Sequence, residues 1–278
     1  MIVMDTRPRT SPFLKIKDGT DFPPIIIAHG LSGTVQVSEL AHHIATQHPI
    51  FGVQAKGVDG REEPLDRVED MADFYLSALT DIQRQDPYIL IGYSFGGLVA
   101  LEMAKRLWKD GKHVALLVML DAFPHPHFMP LPWRVRLFGR RMLIHAQHMR
   151  QMSLAGAADY FTNGVKRRLH LARPLGDIDG PEILTLPLQE ATLRRVNEKA
   201  YHAYASYQPS YYPAKINFVT TEDKTFFPGD PRAIWGDLSQ ELEVEVIPGN
   251  HLNIVTTEFH ALAAVLTRYI RRVGSTRN

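Results

Sequence analysis

The sequence predicts an α/β domain built on a mostly parallel, doubly wound sheet. Short apolar runs at residues 24–28, 88–91 and 114–120 have the length of buried strands and are too short for helices. Longer stretches with the apolar spacing of amphipathic helices lie between them. This alternation of strands and helices is typical of a parallel sheet with right-handed crossover connections.

Composition excludes several classes of function before any motif is considered. The 278 residues are 45% hydrophobic, which is enough for the core of one large domain, so residues 1–278 are assigned to a single domain. The net charge of +1 favours neither nucleic acid nor an anionic membrane as partner. No stretch is long and apolar enough to span a membrane. The chain has no cysteine, which excludes disulfides and a thiolate nucleophile and agrees with a cytoplasmic location.

The elements before residue 87 follow from the spacing of apolar residues and from turn signals. Proline, glycine and aspartate mark the ends of most of these segments. In chain order they are an edge strand at 13–16, a buried strand at 24–28, a short helix at 37–47, a strand at 49–54 and a long amphipathic helix at 65–84. Each buried strand is therefore followed by a helix that can cover the sheet.

Residues 87–110 predict a strand, a sharp turn and a helix in direct succession. Gly92, Ser94 and Gly96 form a G-x-S-x-G pattern. A tight strand-to-helix turn of this kind lifts the serine hydroxyl clear of the backbone and requires small residues on either side. The following helix directs its N-terminal N–H groups towards the serine. We therefore expect Ser94 to be a nucleophile and the N–H group of Phe95 to bind an oxyanion.

A second glycine-containing loop, residues 29–33, follows the strand at 24–28. In a doubly wound sheet this loop lies beside the turn that carries Ser94, so one of its N–H groups can face the same oxyanion. We assign Leu31 as that second donor. His29 is expected to make structural hydrogen bonds rather than to take part in catalysis.

An acid and a histidine follow Ser94 along the chain. Asp121 ends the strand at 114–120, where a carboxylate can orient a catalytic histidine, although an aspartate there can also cap the next turn. His251 follows the last predicted strand, 242–247, and is placed where a base can return to Ser94. The order serine, aspartate, histidine predicts a catalytic triad.

A helical insertion at about 122–210 interrupts the alternation, with helices expected near 133–149 and 155–170 and no evident strand. Such an insertion lies above the C-terminal edge of the sheet and can act as a lid. Between residues 124 and 173 there are nine Lys or Arg residues and one acid. This charge indicates either a solvated face or a docking surface for an acidic partner or a phosphate-bearing substrate. The densest clusters are Arg140, Arg141, Lys166, Arg167 and Arg168.

Together these motifs resemble thioesterase domains of the α/β-hydrolase fold that act in polyketide and nonribosomal peptide synthesis. The resemblance covers about residues 12–272 and rests on the HGLSG loop, the GYSFGG turn, the strand ending in LDAFP, the helical insertion and the closing PGNH. It implies release of an acyl chain from the phosphopantetheine thioester of an acyl or peptidyl carrier protein, by hydrolysis or cyclisation. It implies no metal and no cofactor of the chain's own, since phosphopantetheine arrives on the carrier.

The resemblance leaves two acids and two rival functions open. Asp121 matches chain-releasing members, whereas discrete editing members carry the acid one strand later, where this chain has Asp223; we favour Asp121. The family often has proline after the histidine of the first loop, where this chain has Gly30, and this departure bears on the assignment of Leu31. The rivals are a general carboxylesterase or lipase and a ligand-binding protein without catalysis.

Overall fold

Seven strands among the described residues form one sheet. The computed structural model describes residues 11–33, 37–150, 189–224, 226–227 and 229–275. The strands are β1 (Phe13–Lys17), β2 (Ile25–Ala28), β3 (Ile50–Val53), β4 (Tyr88–Tyr93), β5 (Val114–Leu120), β6 (Tyr212–Thr221) and β7 (Ser239–Ile247). Their order across the sheet is β1-β3-β2-β4-β5-β6-β7. Only β1 is antiparallel to its neighbour, so the predicted α/β class with a mostly parallel sheet is confirmed.

Helices cover both faces of this sheet. They are α1 (Ser38–His43), α2 (Val68–Leu79), α3 (Phe95–Lys109), α4 (Leu131–Arg150), α5 (Gln189–Ser206), α6 (Arg232–Trp235) and α7 (Phe259–Ser275). Successive strand side chains point to opposite faces. Ile26 therefore packs in the cluster that contains α2 and α3, while Ile25 and Ile27 pack in the cluster that contains α1 and α7. The central strands are buried on both faces, as their continuous apolar runs predict.

The helices predicted at 37–47 and 65–84 are right in position and too long. α1 covers six residues of the expected 37–47, because the backbone at Ile44 becomes extended and its side chain is buried. α2 covers twelve residues of the expected 65–84. Beyond α2, the buried side-chain amide of Gln83 donates to the carbonyl oxygens of Gln85 and Pro87 and closes the turn into β4.

The described part of the insertion, residues 122–150 and 189–210, is helical and contains no strand. α4 packs onto the domain through Trp133 and Leu137, and α5 packs through buried alanines into the same hydrophobic cluster. No helix is predicted from the sequence at the position of α5. The helix expected at 155–170, with Lys166, Arg167 and Arg168, lies outside the described residues. Within the parts of the chain that the structure covers, no helix has both the length and the apolar character needed to cross a bilayer.

Candidate active site

The turn between β4 and α3 holds Ser94 in an unusual backbone conformation, with φ 54° and ψ −122°. The N–H of Ser94 donates to the carbonyl oxygen of Leu120 at 2.9 Å, which fixes the turn to the neighbouring strand. A Cβ atom on Gly92 would lie 2.2 Å from the carbonyl oxygen of Gly96, and a Cβ on Gly96 would lie 2.2 Å from that of His29. Both glycines are thus required by close backbone contacts, which explains the G-x-S-x-G pattern.

Ser94, His251 and Asp121 form a continuous hydrogen-bonded chain. The Oγ atom of Ser94 lies 3.0 Å from Nε2 of His251, and Nδ1 of His251 lies 2.8 Å from Oδ2 of Asp121. Since an ionised carboxylate only accepts hydrogen bonds, Nδ1 carries a proton, and in the neutral ring Nε2 is left to accept from the serine hydroxyl. The Asp121 side chain is 3% exposed and the His251 side chain 12% exposed. This arrangement can withdraw the serine proton.

Asp121 is held at the end of β5 by contacts from β6. Its backbone φ is 45°, and its N–H donates to the carbonyl oxygen of Val219 at 2.7 Å. The hydroxyl of Thr220 lies 2.9 Å from Oδ1 of Asp121. Both carboxylate oxygens therefore have hydrogen-bond donors, which a buried carboxylate needs in order to remain ionised.

The loop after β7 turns the chain back so that His251 faces Ser94. Gly249 has φ 105°, a conformation that favours glycine. The side-chain oxygen of Asn250 accepts hydrogen bonds from the N–H groups of Leu252 and Asn253 at 3.0 and 3.1 Å. The loop is therefore fixed by local hydrogen bonds on both sides of the histidine.

Aromatic rings that the sequence did not predict surround His251. The ring of Tyr93 stacks on the imidazole with centroids 5.4 Å apart, while Phe226 and Phe227 contact it at 5.6 and 5.2 Å. The hydroxyl of Tyr93 donates to the backbone carbonyl oxygen of His251. Burial, with the nearby charge of Asp121, raises the pKa of Tyr93, which keeps this donor protonated. The position of Tyr93, directly before the serine of the motif, was the available signal.

Asp223, the alternative acid, does not bond to His251 in this structure. It follows β6, its side chain is exposed, and its N–H donates to the carbonyl oxygen of Gly249 at 3.2 Å. The carboxylate that contacts the histidine is that of Asp121.

The two expected oxyanion donors lie on loops that contact each other. Phe95 is the first residue of α3, where helix N–H groups have no acceptor within the helix. Leu31 lies in the loop after β2 and is partly buried. A Cβ built on Gly30 of that loop would lie 3.9 Å from the Cβ of Ser94, so the loop passes beside the serine as expected. The role of the Phe95 and Leu31 N–H groups stays a prediction.

His29 makes two structural hydrogen bonds. Its Nδ1 lies 2.5 Å from the carbonyl oxygen of Gly30, and its Nε2 lies 3.0 Å from the hydroxyl of Tyr75. Burial lowers the pKa of His29 to about 4, against the opposing effect of the Gly30 carbonyl. The ring is therefore neutral at pH 7, with Nδ1 donating and Nε2 accepting from Tyr75. Among the described residues, no group of three or more histidine or acidic side chains is arranged to hold a metal ion.

Comparison with known proteins identifies the family. Residues 23–271 match the family described as "Thioesterase domain". A dimodular nonribosomal peptide synthase of Bacillus subtilis (strain 168) is 40% identical over 119 residues, which are 42% of this chain and 5% of that protein. Malpibaldin synthetase of Mortierella alpina is 29% identical over 77% of this chain and 3% of its own length. The chain thus spans a small fraction of the curated relatives it matches.

A solved structure shares this fold. The type II thioesterase BorB from the borrelidin biosynthetic cluster superposes with a TM-score of 0.64 at 17% identity, covering 95% of this chain and 99% of its own. Likeness at this level of identity establishes the α/β-hydrolase fold, and the family match covers most of the chain. Because the family match spans residues 23–271, the chain belongs to the thioesterase domain family.

Proposed function

We propose that the chain releases an acyl chain, a polyketide or a peptide, from the phosphopantetheine thioester of a carrier protein, with Ser94 as nucleophile. The contact of Ser94 Oγ with His251 Nε2 at 3.0 Å, in a member of the thioesterase family, is the observation that carries the proposal. A serine hydroxyl hydrogen-bonded to an imidazole is an activated nucleophile, and the acyl carbon of a thioester is its substrate.

In the proposed first half-reaction, Ser94 Oγ attacks the thioester carbonyl carbon and its proton passes to Nε2 of His251. The imidazolium then donates from Nδ1 to Asp121, whose carboxylate stabilises the charge. The tetrahedral oxyanion accepts hydrogen bonds from the N–H groups of Phe95 and Leu31. When the carbon–sulfur bond breaks, the carrier thiolate takes the proton from Nε2, leaving an acyl group on Ser94.

The second half-reaction reuses the same groups. His251 takes a proton from water, or from a nucleophile within the acyl chain, which attacks the acyl-Ser94 carbonyl carbon. The Ser94 oxygen leaves with the proton returned from Nε2. Water gives a free acid, and an internal nucleophile gives a ring.

The proposed partner is an acyl or peptidyl carrier protein, which brings phosphopantetheine as part of the substrate. Arg134 and Arg136 are exposed on α4, in the insertion beside the site, and their charge supports contact with an acidic carrier or its phosphate. Residues 1–278 are proposed to act as one domain with the insertion 122–210 as its lid. A chain without cysteine needs no oxidising compartment to fold, which supports a cytoplasmic location.

Intact-mass spectrometry tests the proposal directly. Wild-type protein, Ser94→Ala and the matched control Ser77→Ala, which alters an exposed serine of α2, are incubated with acyl-pantetheine thioesters and with matched oxoesters. We expect an acyl adduct or turnover with wild type and Ser77→Ala, absent in Ser94→Ala, and faster with thioesters. Equal or faster reaction of oxoesters would replace the proposal with a general carboxylesterase. No reaction with either class would support a ligand-binding protein.

A further inference from the structure

A lysine lies behind the carboxylate of the candidate site. The Nζ atom of Lys224 is 2.9 Å from Oγ1 of Thr220, and that hydroxyl is 2.9 Å from Oδ1 of Asp121. Thr220 is on β6 and is 1% exposed. Because Leu120 pairs with Val219 in the sheet, the residues that follow them, Asp121 and Thr220, are neighbours across the strands.

The direction of these hydrogen bonds is fixed by chemistry. A lysine ammonium group has no lone pair and only donates, an ionised carboxylate only accepts, and a threonine hydroxyl has a single proton. Lys224 therefore donates to Thr220, and the hydroxyl proton of Thr220 points to Asp121. The remaining carboxylate oxygen accepts from Nδ1 of His251. Lys224 thus removes the rotational freedom of the hydroxyl that holds Asp121.

We propose that Lys224 is a positioning residue for the thioesterase reaction, acting through Thr220 on the Asp121–His251 pair. The inference rests on the function proposed above. Lys224 holds the carboxylate in one orientation through the threonine hydroxyl, and it places a positive charge behind the Asp121–His251 pair.

The pKa of Lys224 lies below its ordinary value, chiefly because of burial. Partial burial lowers the pKa of its ammonium group, while the carboxylates of Asp121 and Asp230 raise it. The charged and titratable side chains on the elements around the pair include Tyr93 on β4 and Asp121 after β5. Glu222, Asp223, Lys224 and Asp230 follow β6, and Glu258 follows β7 in the loop that carries His251. Of these, Lys224 is the one that carries a positive charge. Its removal therefore leaves the described surroundings of His251 more negative.

The pH dependence of kcat/KM tests the electrostatic part of the proposal. Lys224→Met keeps the side-chain length and removes the charge. In this variant we expect the acidic limb of the kcat/KM profile, where activity falls as the pH decreases, to move to higher pH by about 0.5–1 unit, because a cation near the base is lost. At acidic pH this shift lowers kcat/KM by about three- to tenfold. Lys224→Arg is expected to retain the wild-type limb. Lys215→Met removes a lysine that pairs with Glu241 and Glu243 and is expected to leave the limb in place.

The threonine variants test the route through the hydroxyl. Thr220→Val keeps the shape and removes the hydroxyl, so we expect kcat to fall about tenfold with KM unchanged, as one hydrogen bond to a charged group is lost. Thr220→Ser is expected to recover most of that loss. In the Thr220→Val background, Lys224→Met is expected to lower kcat by less than it does in wild type, because the connecting group is absent.

A direct spectroscopic readout separates this proposal from the proposed function. The low-field proton resonance of His251 Nδ1–H reports its contact with Asp121 and does not depend on turnover. We expect Lys224→Met to shift that resonance or the pH at which it changes, and Lys224→Arg to preserve it. An unchanged resonance and an unchanged acidic limb in Lys224→Met would overturn the role of Lys224. Failure of the proposed function is seen separately, as acyl turnover that persists in Ser94→Ala.

Discussion

The hydroxyl of Tyr93 donates a hydrogen bond to the backbone carbonyl oxygen of His251. This contact ties the residue before the proposed nucleophile to the residue proposed as its base. In Tyr93→Phe the ring still stacks on the imidazole and the hydrogen bond is lost. We expect kcat to fall about fivefold, for about 1 kcal/mol of lost positioning. Steady-state kinetics of Tyr93→Phe and of Tyr93→Leu, which removes the ring and the hydroxyl together, checks this. If the phenylalanine variant is as impaired as the leucine variant, the effect does not come from the hydrogen bond.

Removal of the nucleophile or the base is expected to abolish turnover. Ser94→Ala and His251→Ala should each lower kcat by about 10⁶-fold, because the members of a triad act as one unit. The double variant should be no worse than either single one. Single-turnover kinetics with an acyl-pantetheine thioester measures the loss, and thermal unfolding should show little change in stability. Residual rates within tenfold of wild type would exclude Ser94 as the nucleophile.

The two candidate acids are expected to differ sharply. Asp121→Asn should lower kcat by about 10⁴-fold, because an amide in place of the carboxylate no longer fixes the histidine tautomer. Asp223→Asn should stay within about twofold of wild type, since Asp223 is exposed and Nδ1 of His251 bonds to the carboxylate of Asp121. Parallel measurement of the two variants decides between them, and a reversed order of effects would move the acid to Asp223.

Substitution of alanine for two glycines beside Ser94 is expected to change the stability of the fold in opposite directions. A Cβ on Gly30 would make ordinary contacts at 3.6 Å with the Tyr93 ring, so Gly30→Ala should stabilise the fold by about 0.4–1 kcal/mol through the unfolded state. A Cβ on Gly96 would lie 2.2 Å from the His29 carbonyl oxygen, so Gly96→Ala should destabilise it by about 3 kcal/mol or more. Denaturant unfolding of both variants measures the contrast. Equal stabilities would contradict the packing described for this turn.

The buried ring of His29 makes stability depend on pH. Its pKa in the folded protein is about 4, below the ordinary value of about 6.5, so the unfolded chain binds a proton between these values and the folded chain does not. The neutral His29 ring therefore contributes fully to the free energy of unfolding above pH 6.5, and this contribution is lost as the pH falls towards 4. The loss amounts to about 3 kcal/mol. Unfolding free energies of wild type and His29→Gln across this range check it.

Tyr75→Phe is the matched control for the pH measurement. It keeps the His29 ring buried and removes only its partner hydroxyl, so the pH slope should remain while stability falls by about 1 kcal/mol at neutral pH. A slope that is the same in wild type and His29→Gln would assign the acid sensitivity to other groups.

The parts of the site that directly follow the ends of strands could be predicted from the sequence. β5 has the predicted bounds because a run of seven apolar residues ends at a buried aspartate. The turn at Ser94 follows from backbone contacts that exclude a side chain at its glycines. Periodicity places residues on a face of a helix or strand and carries no information about which loops meet.

What the sequence could not provide is contact between side chains from distant segments. Thr220 meets Asp121 only because β5 and β6 pair in one particular register. Phe227 reaches the ring of His251 from the loop after β6, a contact that no local pattern encodes. The amphipathic helix α5 was missed, although its alanines pack into the core as helical spacing requires.

Ser94 and Asp121 are the non-glycine residues with positive φ among those described, at 54° and 45°. Each such conformation lowers the stability of the native state by about 1–2 kcal/mol relative to a relaxed backbone. Glycine would relieve that strain at Ser94 and remove the proposed nucleophile. Selection for heat resistance alone would therefore favour replacement of Ser94 and Asp121, on which the chemistry is proposed to depend. Variants of this protein have to be selected for heat resistance and turnover together.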